Sequence, residues 1–237
     1  MQNTKGKIPL VQLHELVVGY NTKEPLINID EFQIFSGEVV VLTGVSGIGK
    51  TTLLKTIAGL VKPINGTVNV CDRKLPSKPK RGEIGYIPQS LGLVRHASVI
   101  HNVMIGANAG MKKFWNPIPS LLAKDVADKA ISAMDLTSHQ YRLIRKLSGG
   151  QQRRVATART LAQRPRLILA DEFLSELDDN TKEKVLSEVL KYVQEENAAL
   201  VVIEHDIKRA REMGDRIFLI KERKLIEIDK NSISEEE

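Results

Sequence analysis

The sequence has little cysteine and no long apolar run. It contains one cysteine, Cys71, among 237 residues, which excludes an intramolecular disulfide and a cysteine-rich metal site. Cys71 follows a valine-rich stretch, and we expect it to pack as a small apolar side chain. No apolar run in the sequence approaches the length of a membrane-spanning helix.

Targeting signals and repeats are missing as well. The N-terminal segment 1–7 has no apolar core behind its charges, so it does not resemble a signal peptide, and we expect a cytosolic protein. With 42% hydrophobic and 27% charged residues, the composition is that of a globular protein with a sizeable core. The net charge of +6 permits binding to nucleic acid or an anionic surface. Apart from the proline-broken loop 74–81, however, the basic residues are scattered, and this scatter favours a solvated basic face.

The hydrophobic pattern predicts an α/β fold. Segments 11–16 and 27–34 alternate with period two and predict strands, and the apolar run 39–42 predicts a buried strand. From about 98 to 146 apolar residues recur at helical spacing, which predicts a helical insertion. Strands and helices then alternate, which predicts a parallel sheet with crossover helices and a ligand at the carboxyl edge of its strands. The predicted elements are a helix at 149–163, a strand at 166–171, a helix at 180–196, a strand at 199–204, a helix at 206–213 and a hairpin at 216–229.

The most specific motif lies between the predicted buried strand and a predicted helix at 51–58. It fits the pattern G-x-x-x-x-G-K-[ST], whose glycines let backbone N–H groups turn inward on phosphates at a helix N-terminus. Lys50 would supply a point charge for the terminal phosphates, and Thr51 a hydroxyl for Mg²⁺. The residues of this phosphate loop are Gly44, Val45, Ser46, Gly47, Ile48, Gly49, Lys50, Thr51 and Thr52.

Two acidic residues end the predicted strand 166–171. Asp171, at a strand end beside a phosphate loop, is suited to hold Mg²⁺ directly or through water. Glu172 is suited to orient and deprotonate an attacking water molecule. Because acids often follow apolar strands, both roles depend on the presence of the phosphate loop.

A second anion site is predicted where the next helix begins. Leu147, Ser148, Gly149, Gly150 and Gln151 open this helix. Ser148 at the N-cap and Gln151 three residues later form a capping-box pattern, so a structural role is one interpretation. The other interpretation is phosphate binding at the helix N-terminus. Because the phosphate loop already serves one nucleotide, a second site favours use on another copy of the chain.

The phosphate loop, the strand that ends in Asp171 and Glu172, and the Leu-Ser-Gly-Gly-Gln signature between them resemble the ATP-binding cassette of ABC transporters. The resemblance covers residues from about 10 to 225. It implies a P-loop NTPase core with a parallel sheet, an N-terminal antiparallel β subdomain and a helical subdomain. The implied organisation is a single ABC ATPase domain over 1–237, with the core and β subdomain at 8–97 and 147–229 and the helical subdomain at 98–146.

The family's other motifs imply further roles. In this family two cassettes pair head to tail, and each ATP lies between the phosphate loop of one copy and the signature of the other, so Ser148 and Gly150 would contact an ATP held by a second copy. The remaining matches are Tyr20 as the aromatic that stacks on adenine, Gln89 in the Q-loop as a contact to Mg²⁺ or the attacking water, Ser175, Leu177 and Asp178 in the D-loop, and His205 as the contact to the γ-phosphate. The plain alternatives are a core tyrosine, a surface glutamine and a structural histidine.

The sequence departs from the family pattern at three places. Phe173-Leu174 stands where Pro-Thr is usual, Glu176 where alanine is common, and Glu204 where threonine or serine often precedes the histidine. None of these changes removes a group that is assigned to chemistry. Glu176 adds a charge near the expected dimer seam.

The resemblance implies an enzyme that hydrolyses ATP to ADP and phosphate with Mg²⁺ and thereby moves membrane subunits. The transmembrane permease subunits are expected to be separate polypeptides, which hold the cassette at the inner face of the cell membrane through a groove near Gln89 and the helical insertion. The segment 92–106 is similar to phosphonate-importer ATPases, which favours a prokaryotic importer and adds an extracytoplasmic substrate-binding protein to the expected complex. The cassette itself is expected to make no contact with the cargo.

Other functions are consistent with parts of the sequence. Bare cassettes of this length also serve exporters and lipoprotein-release systems. A non-transport ATPase acting on nucleic acid or ribosomes would fit the basic charge, but such chains usually carry long coiled coils or two cassettes, and this sequence has no sustained heptads and one phosphate loop. A P-loop kinase would need an acceptor site, for which the sequence offers no candidate. The segment around Trp115 is predicted either to meet the membrane subunit or lipid headgroups, or to pack in the core.

Overall fold

The computed structural model describes residues 8–111 and 121–230. Within these residues the chain forms two compact units, one made of 8–79 and 197–230 and the other of 80–111 and 121–196. The subdomain boundaries that the sequence predicts stay a prediction. Trp115 lies outside the described residues, so its role also stays a prediction.

The strands and helices follow the alternation that the sequence predicts. In chain order they are β1 (Val11–Val18), β2 (Ile27–Ile34), β3 (Val39–Thr43), α1 (Lys50–Ile57), β4 (Asn65–Val70), β5 (Arg73–Lys74), β6 (Ile84–Ile87), α2 (Val99–Gly110), α3 (Leu121–Ala133), α4 (Gly149–Ala162), β7 (Leu167–Asp171), α5 (Asp179–Glu195), β8 (Ala199–Ile203), α6 (Ile207–Met213), β9 (Arg216–Lys221) and β10 (Lys224–Ile228). Two short 3-10 helices, Thr137–His139 and Ile144–Lys146, precede α4. From α4 onward, each element begins and ends within one residue of its predicted position.

The first unit is built on a mixed sheet with the strand order β5-β4-β1-β2-β10-β9-β3-β8. β1 pairs antiparallel with β2 and β4. The burial of β1 and β2 follows the period-two pattern in the sequence except at His14-Glu15 and Asp30-Glu31, where two neighbouring residues are both exposed. β3 lies between β8 and β9 and is parallel to both. Every residue of β3 and β8 is buried, as expected for parallel strands that are covered on both faces.

Arg216 joins the last hairpin to the rest of this sheet. Its guanidinium donates to both carboxylate oxygens of Glu227 on β10, at 2.8 and 2.9 Å, and to Glu38 at 3.2 Å. It also lies 4.8 Å from the centre of the Phe218 ring, close enough for a cation–π interaction. These contacts stabilise the pairing of β9 with β10.

The second unit contains the parallel pair β6 and β7 and a cluster of helices in which α2, α3 and α4 contact one another. α2 meets α4 at Gly106, where a Cβ atom would overlap the carbonyl oxygen of Arg159. The two helix backbones therefore touch at a point where only glycine fits. Among the described residues, no helix combines the length and apolar character that crossing a membrane requires.

Gly106→Ala should destabilise the protein by about 2–3 kcal/mol, because the added methyl group must displace the backbone of α4. Urea unfolding followed by circular dichroism measures the change in the free energy of unfolding. Asn108→Ala, at an exposed position of the same helix, is the control and should shift stability by less than about 1 kcal/mol. Equal stabilities of Gly106→Ala and the wild type would contradict the close contact.

The ion pair of Arg216 and Glu227 should make stability depend on pH. Hydrogen bonding to Arg216 lowers the pKa of the Glu227 carboxyl below its ordinary value of 4.5. Because the folded pKa is the lower one, the pair stabilises the fold above this ordinary value, and the contribution is lost as the pH falls through the lowered pKa. Glu227→Gln should therefore melt below the wild type at about pH 7, and the gap should close by about pH 3. A gap of constant size across this range would argue against the pair.

Candidate nucleotide-binding site

The phosphate loop connects β3 to α1, and its path depends on two glycines. Gly44 has a φ of +140°, and Gly49, the N-cap of α1, has a φ of +114°, both in the region that favours glycine. A Cβ atom on Gly44 would lie 2.8 Å from the carbonyl oxygen of Ile220, and one on Gly49 would lie 3.0 Å from Cβ of Leu26. Gly44 and Gly49 are therefore required both by the backbone conformation and by the neighbouring atoms that a Cβ atom would approach.

Lys50 directs its ammonium group into the phosphate loop. The residue is 6% exposed, and Nζ donates to the carbonyl oxygens of Gly44 at 2.6 Å and Val45 at 3.0 Å. α1 begins at Lys50 and has no acidic residue in its first turn, so the helix N-terminus and the ammonium group place positive potential in one location. Thr51, the next residue of the helix, is half-buried.

His205 lies at the same sheet edge as the start of the phosphate loop, because β3 and β8 are parallel and both end there. The preceding residue, Glu204, organises this turn. Its carboxylate accepts hydrogen bonds from the backbone N–H groups of His205 at 2.9 Å and Asp206 at 3.0 Å, and it pairs with Arg209 at 3.0 Å. This role of Glu204 is not predicted from the sequence, although a charge at a position usually held by a hydroxyl residue is a signal for it.

Tyr20 follows β1, and the residue is 72% exposed. It is therefore not a core tyrosine, and its ring presents a face on which a base could stack. The adenine contact itself stays a prediction.

Gln89 and Glu172 meet at the carboxyl edge of the parallel strands in the second unit. Nε2 of Gln89 donates to Oε2 of Glu172 at 3.2 Å. Asp171, the last residue of β7, is 1% exposed. Glu172 has a φ of +52°, which turns the chain out of the strand direction. The two residues predicted to handle the attacking water therefore contact each other.

The signature helix α4 begins with the capping box that the sequence predicts. Oγ of Ser148 accepts from the backbone N–H of Gln151 at 3.2 Å, and Oε1 of Gln151 accepts from the backbone N–H of Ser148 at 3.0 Å. No acidic residue lies in the first turn of α4, so the helix dipole still favours an anion here. The structural interpretation is thus correct, and it leaves the helix N-terminus suited to phosphate.

His139 supports the signature from outside the motif. Its Nε2 lies 3.1 Å from Nε2 of Gln151, and its Nδ1 lies 2.7 Å from Oγ of Ser138. Since the amide of Gln151 donates, Nε2 of His139 accepts and Nδ1 carries the proton. His139 is not among the predicted site residues, because no signal in the sequence links it to the signature.

The D-loop lies beside the signature. The backbone N–H and Oγ of Ser175 donate to the carbonyl oxygen of Glu172 at 3.1 and 2.9 Å. Asp178 caps α5, and hydrogen bonds from Thr181 hold the pKa of the Asp178 carboxyl below its ordinary value. The signature and the D-loop together line a surface cavity of about 380 Å³, whose residues are Ser148, Gly149, Gly150, Gln151, Arg154, Glu176, Leu177, Asp178 and Thr181.

The parallel strands, the phosphate loop and the acidic strand end define a P-loop ATPase. A protein-family model for the ABC transporter matches residues 27–175, which include the phosphate loop, Gln89, the signature and Glu172. The chain belongs to the ABC transporter family. Both the resemblance and the ATPase activity that it implies are thereby confirmed.

Individual relatives agree with this assignment. The chain is 37% identical over 224 residues to the phosphonates import ATP-binding protein PhnC of Lactobacillus gasseri, with 88% of this chain and 83% of that protein covered. It is 32% identical over 228 residues to the Fe(3+) ions import ATP-binding protein FbpC 2 of Haemophilus influenzae, which covers 93% of this chain and 62% of that longer protein.

A solved cassette has the same fold. The dimeric, post-hydrolysis state of the ATP-binding cassette MJ0796 bound to ADP and Pi superimposes with a TM-score of 0.83 at 30% identity, over 94% of this chain and 100% of that chain. The α/β fold with a P-loop NTPase core is therefore confirmed. The roles of the single residues at the site stay predictions.

Proposed function

We propose that the chain is the ATP-hydrolysing subunit of a prokaryotic importer and drives separate transmembrane permease subunits. The observation that carries this proposal is the presence, in one chain, of two helix N-termini suited to phosphate, at the phosphate loop and at the signature. Relatives named for import of phosphonates, Fe(3+) ions and spermidine or putrescine support the direction of transport. Because these cargoes differ widely, cargo selection belongs to the partners.

The proposed active form is a head-to-tail pair of cassettes. Lys50 and the phosphate loop of one copy bind the phosphates of ATP, and Ser148 and Gly150 of the other copy contact the γ-phosphate. This arrangement gives each of the two phosphate-binding helix ends a partner. The dimeric state of the MJ0796 cassette supports it.

The residues present are suited to Mg²⁺, which usually binds proteins through one or two oxygen ligands together with substrate phosphates. Thr51 would offer a hydroxyl and Asp171 a carboxylate, with Gln89 as a further contact. The described residues contain no group of three or more acidic, histidine or cysteine side chains that could hold a metal by itself, so the ATP phosphates would complete the coordination. When bound, Mg²⁺ neutralises charge on the phosphates.

The other steps of ATP hydrolysis are assigned to individual side chains of the chain. The ammonium group of Lys50 stabilises charge that develops on the γ-phosphoryl group. Glu172 orients the attacking water and accepts its proton. Its hydrogen bond to Gln89, at 3.2 Å, ties this carboxylate to the Q-loop, and His205 contacts the γ-phosphate.

The second unit offers a surface for the permease. Several large apolar side chains are exposed on or near the helices of the insertion, among them Val94, Ile105, Leu121 and Leu122, which are 46%, 40%, 85% and 70% exposed. Large apolar side chains that stay exposed are available for contact with another protein. Docking there would place the cassette on the inner face of the membrane, with a substrate-binding protein on the far side.

Glu172→Gln should lower ATP hydrolysis by about 100-fold or more, because the amide cannot accept the proton of the attacking water. Binding of trinitrophenyl-ATP should persist, since the phosphate loop is unchanged. Lys50→Ala is the contrasting variant and should lose nucleotide binding together with hydrolysis. Phosphate release and fluorescence titration provide the two measurements. Undiminished turnover of Glu172→Gln would disprove its assignment as the base.

The importer proposal predicts which proteins bind the closed cassette. Tagged Glu172→Gln protein, held closed with Mg²⁺ and ATP, should recover polytopic membrane subunits from detergent-solubilised native membranes, identified by mass spectrometry. Lys50→Ala protein serves as the control that cannot close. Recovery of ribosomes or nucleic-acid complexes without any membrane protein would overturn the proposal in favour of a non-transport ATPase.

A further inference from the structure

Arg153 is a buried cation on α4 that contacts two separate turns of the second unit. The residue is 3% exposed. Its Nη1 donates to the carbonyl oxygen of Glu172 at 3.1 Å, and its Nη2 donates to Oε1 of Glu176 at 3.1 Å. One guanidinium on the signature helix therefore holds both the proposed base and a residue of the D-loop.

Both of the residues that Arg153 contacts have a backbone conformation in the left-handed region. Glu172 has a φ of +52° and Glu176 a φ of +61°, which are uncommon values for residues other than glycine. The carbonyl oxygen of Glu172 also accepts from the backbone N–H and Oγ of Ser175. Arg153 adds a third donor to this oxygen, so it helps to fix the turn from which the Glu172 side chain projects.

Glu176 is the counter-ion of the buried Arg153 guanidinium. A guanidinium stays charged at all physiological pH values and is costly to bury without a counter-ion. The side chain of Glu176 is 64% exposed, while that of Arg153 is 4% exposed. The second carboxylate oxygen of Glu176, Oε2, lies 2.6 Å from the position that a Cβ atom on Gly149 would take. The ion pair therefore lies against the first residue of the signature helix.

We propose that Arg153 is a positioning residue that links the two ATP sites of a cassette pair. The inference rests on the proposed function, in which Glu172 acts on the ATP of its own chain while Ser148 contacts the ATP of the second copy. A γ-phosphate at the start of α4 repels the carboxylate of Glu176 and attracts Arg153. Because the same guanidinium holds the Glu172 carbonyl, occupation of one site alters the position of the base at the other.

The test is steady-state ATP hydrolysis by the full chain over a range of ATP concentrations. The wild type should show a Hill coefficient above one. Arg153→Gln should lower kcat about 10- to 100-fold and bring the Hill coefficient to about one. Its affinity for trinitrophenyl-ATP should change by less than about twofold, since the phosphate loop is distant in the chain and unaltered.

Two further variants separate the contributions. Arg145→Gln removes an exposed cation just before the signature and is the matched control, which should retain wild-type kinetics. Glu176→Gln removes the charge but leaves an amide oxygen that accepts from Arg153. It should therefore keep a higher kcat than Arg153→Gln while losing cooperativity. Because Glu176 is exposed, this variant tests the link even if Arg153→Gln fails to fold.

Each outcome has a defined meaning. Wild-type kinetics in Arg153→Gln would overturn the inference, and so would a lower kcat with an unchanged Hill coefficient, because Arg153 would then act within one site. Sedimentation of Glu172→Gln protein with Mg²⁺ and ATP detects failure of the proposed function itself. A monomer there would refute the head-to-tail pair together with the link, whereas a dimer combined with wild-type kinetics in Arg153→Gln would refute the link alone.

Discussion

The burial of β3 between two parallel neighbours is the constraint on which the phosphate site depends. All five residues of this strand are buried, and it pairs in parallel with β8 on one side and β9 on the other. The chain must then reverse into α1 within a few residues, which the left-handed conformations of Gly44 and Gly49 allow. Lys50 ties the loop back on itself through two carbonyl oxygens. The two glycine conformations and these two hydrogen bonds together determine the path of the loop.

The second unit is organised by arginines on α4 that donate to loop carbonyl oxygens. Arg153 holds Glu172, and the other contacts are Arg154 to Met134 and Asp135 and Arg159 to Leu91 and Gly92, at 2.7–3.1 Å. Burial lowers the pKa of the Arg159 guanidinium below its ordinary value, which reflects the cost of removing it from water. One helix thus positions three loops, including the segment that follows the Q-loop.

Much of the fold and the contiguous motifs could be predicted from sequence, because their causes are local. The phosphate loop needs neighbouring glycines, and the capping box joins residues only three apart. The support around these motifs could not be predicted in this way. Gln89 and Glu172 are 83 positions apart, and His139 reaches Gln151 across 12 positions. Such pairs follow from how elements pack, so periodicity and spacing carry no signal for them.

The backbone contact between α2 and α4 at Gly106 bears on mechanics as well as stability. Where side chains separate two helices, a small displacement of one helix can be accommodated by a change of side-chain rotamer. A peptide carbonyl in contact with a glycine Cα cannot rearrange in this way, because the peptide group is planar and its bond lengths are fixed. A displacement of α2 at this point therefore requires α4 to move with it.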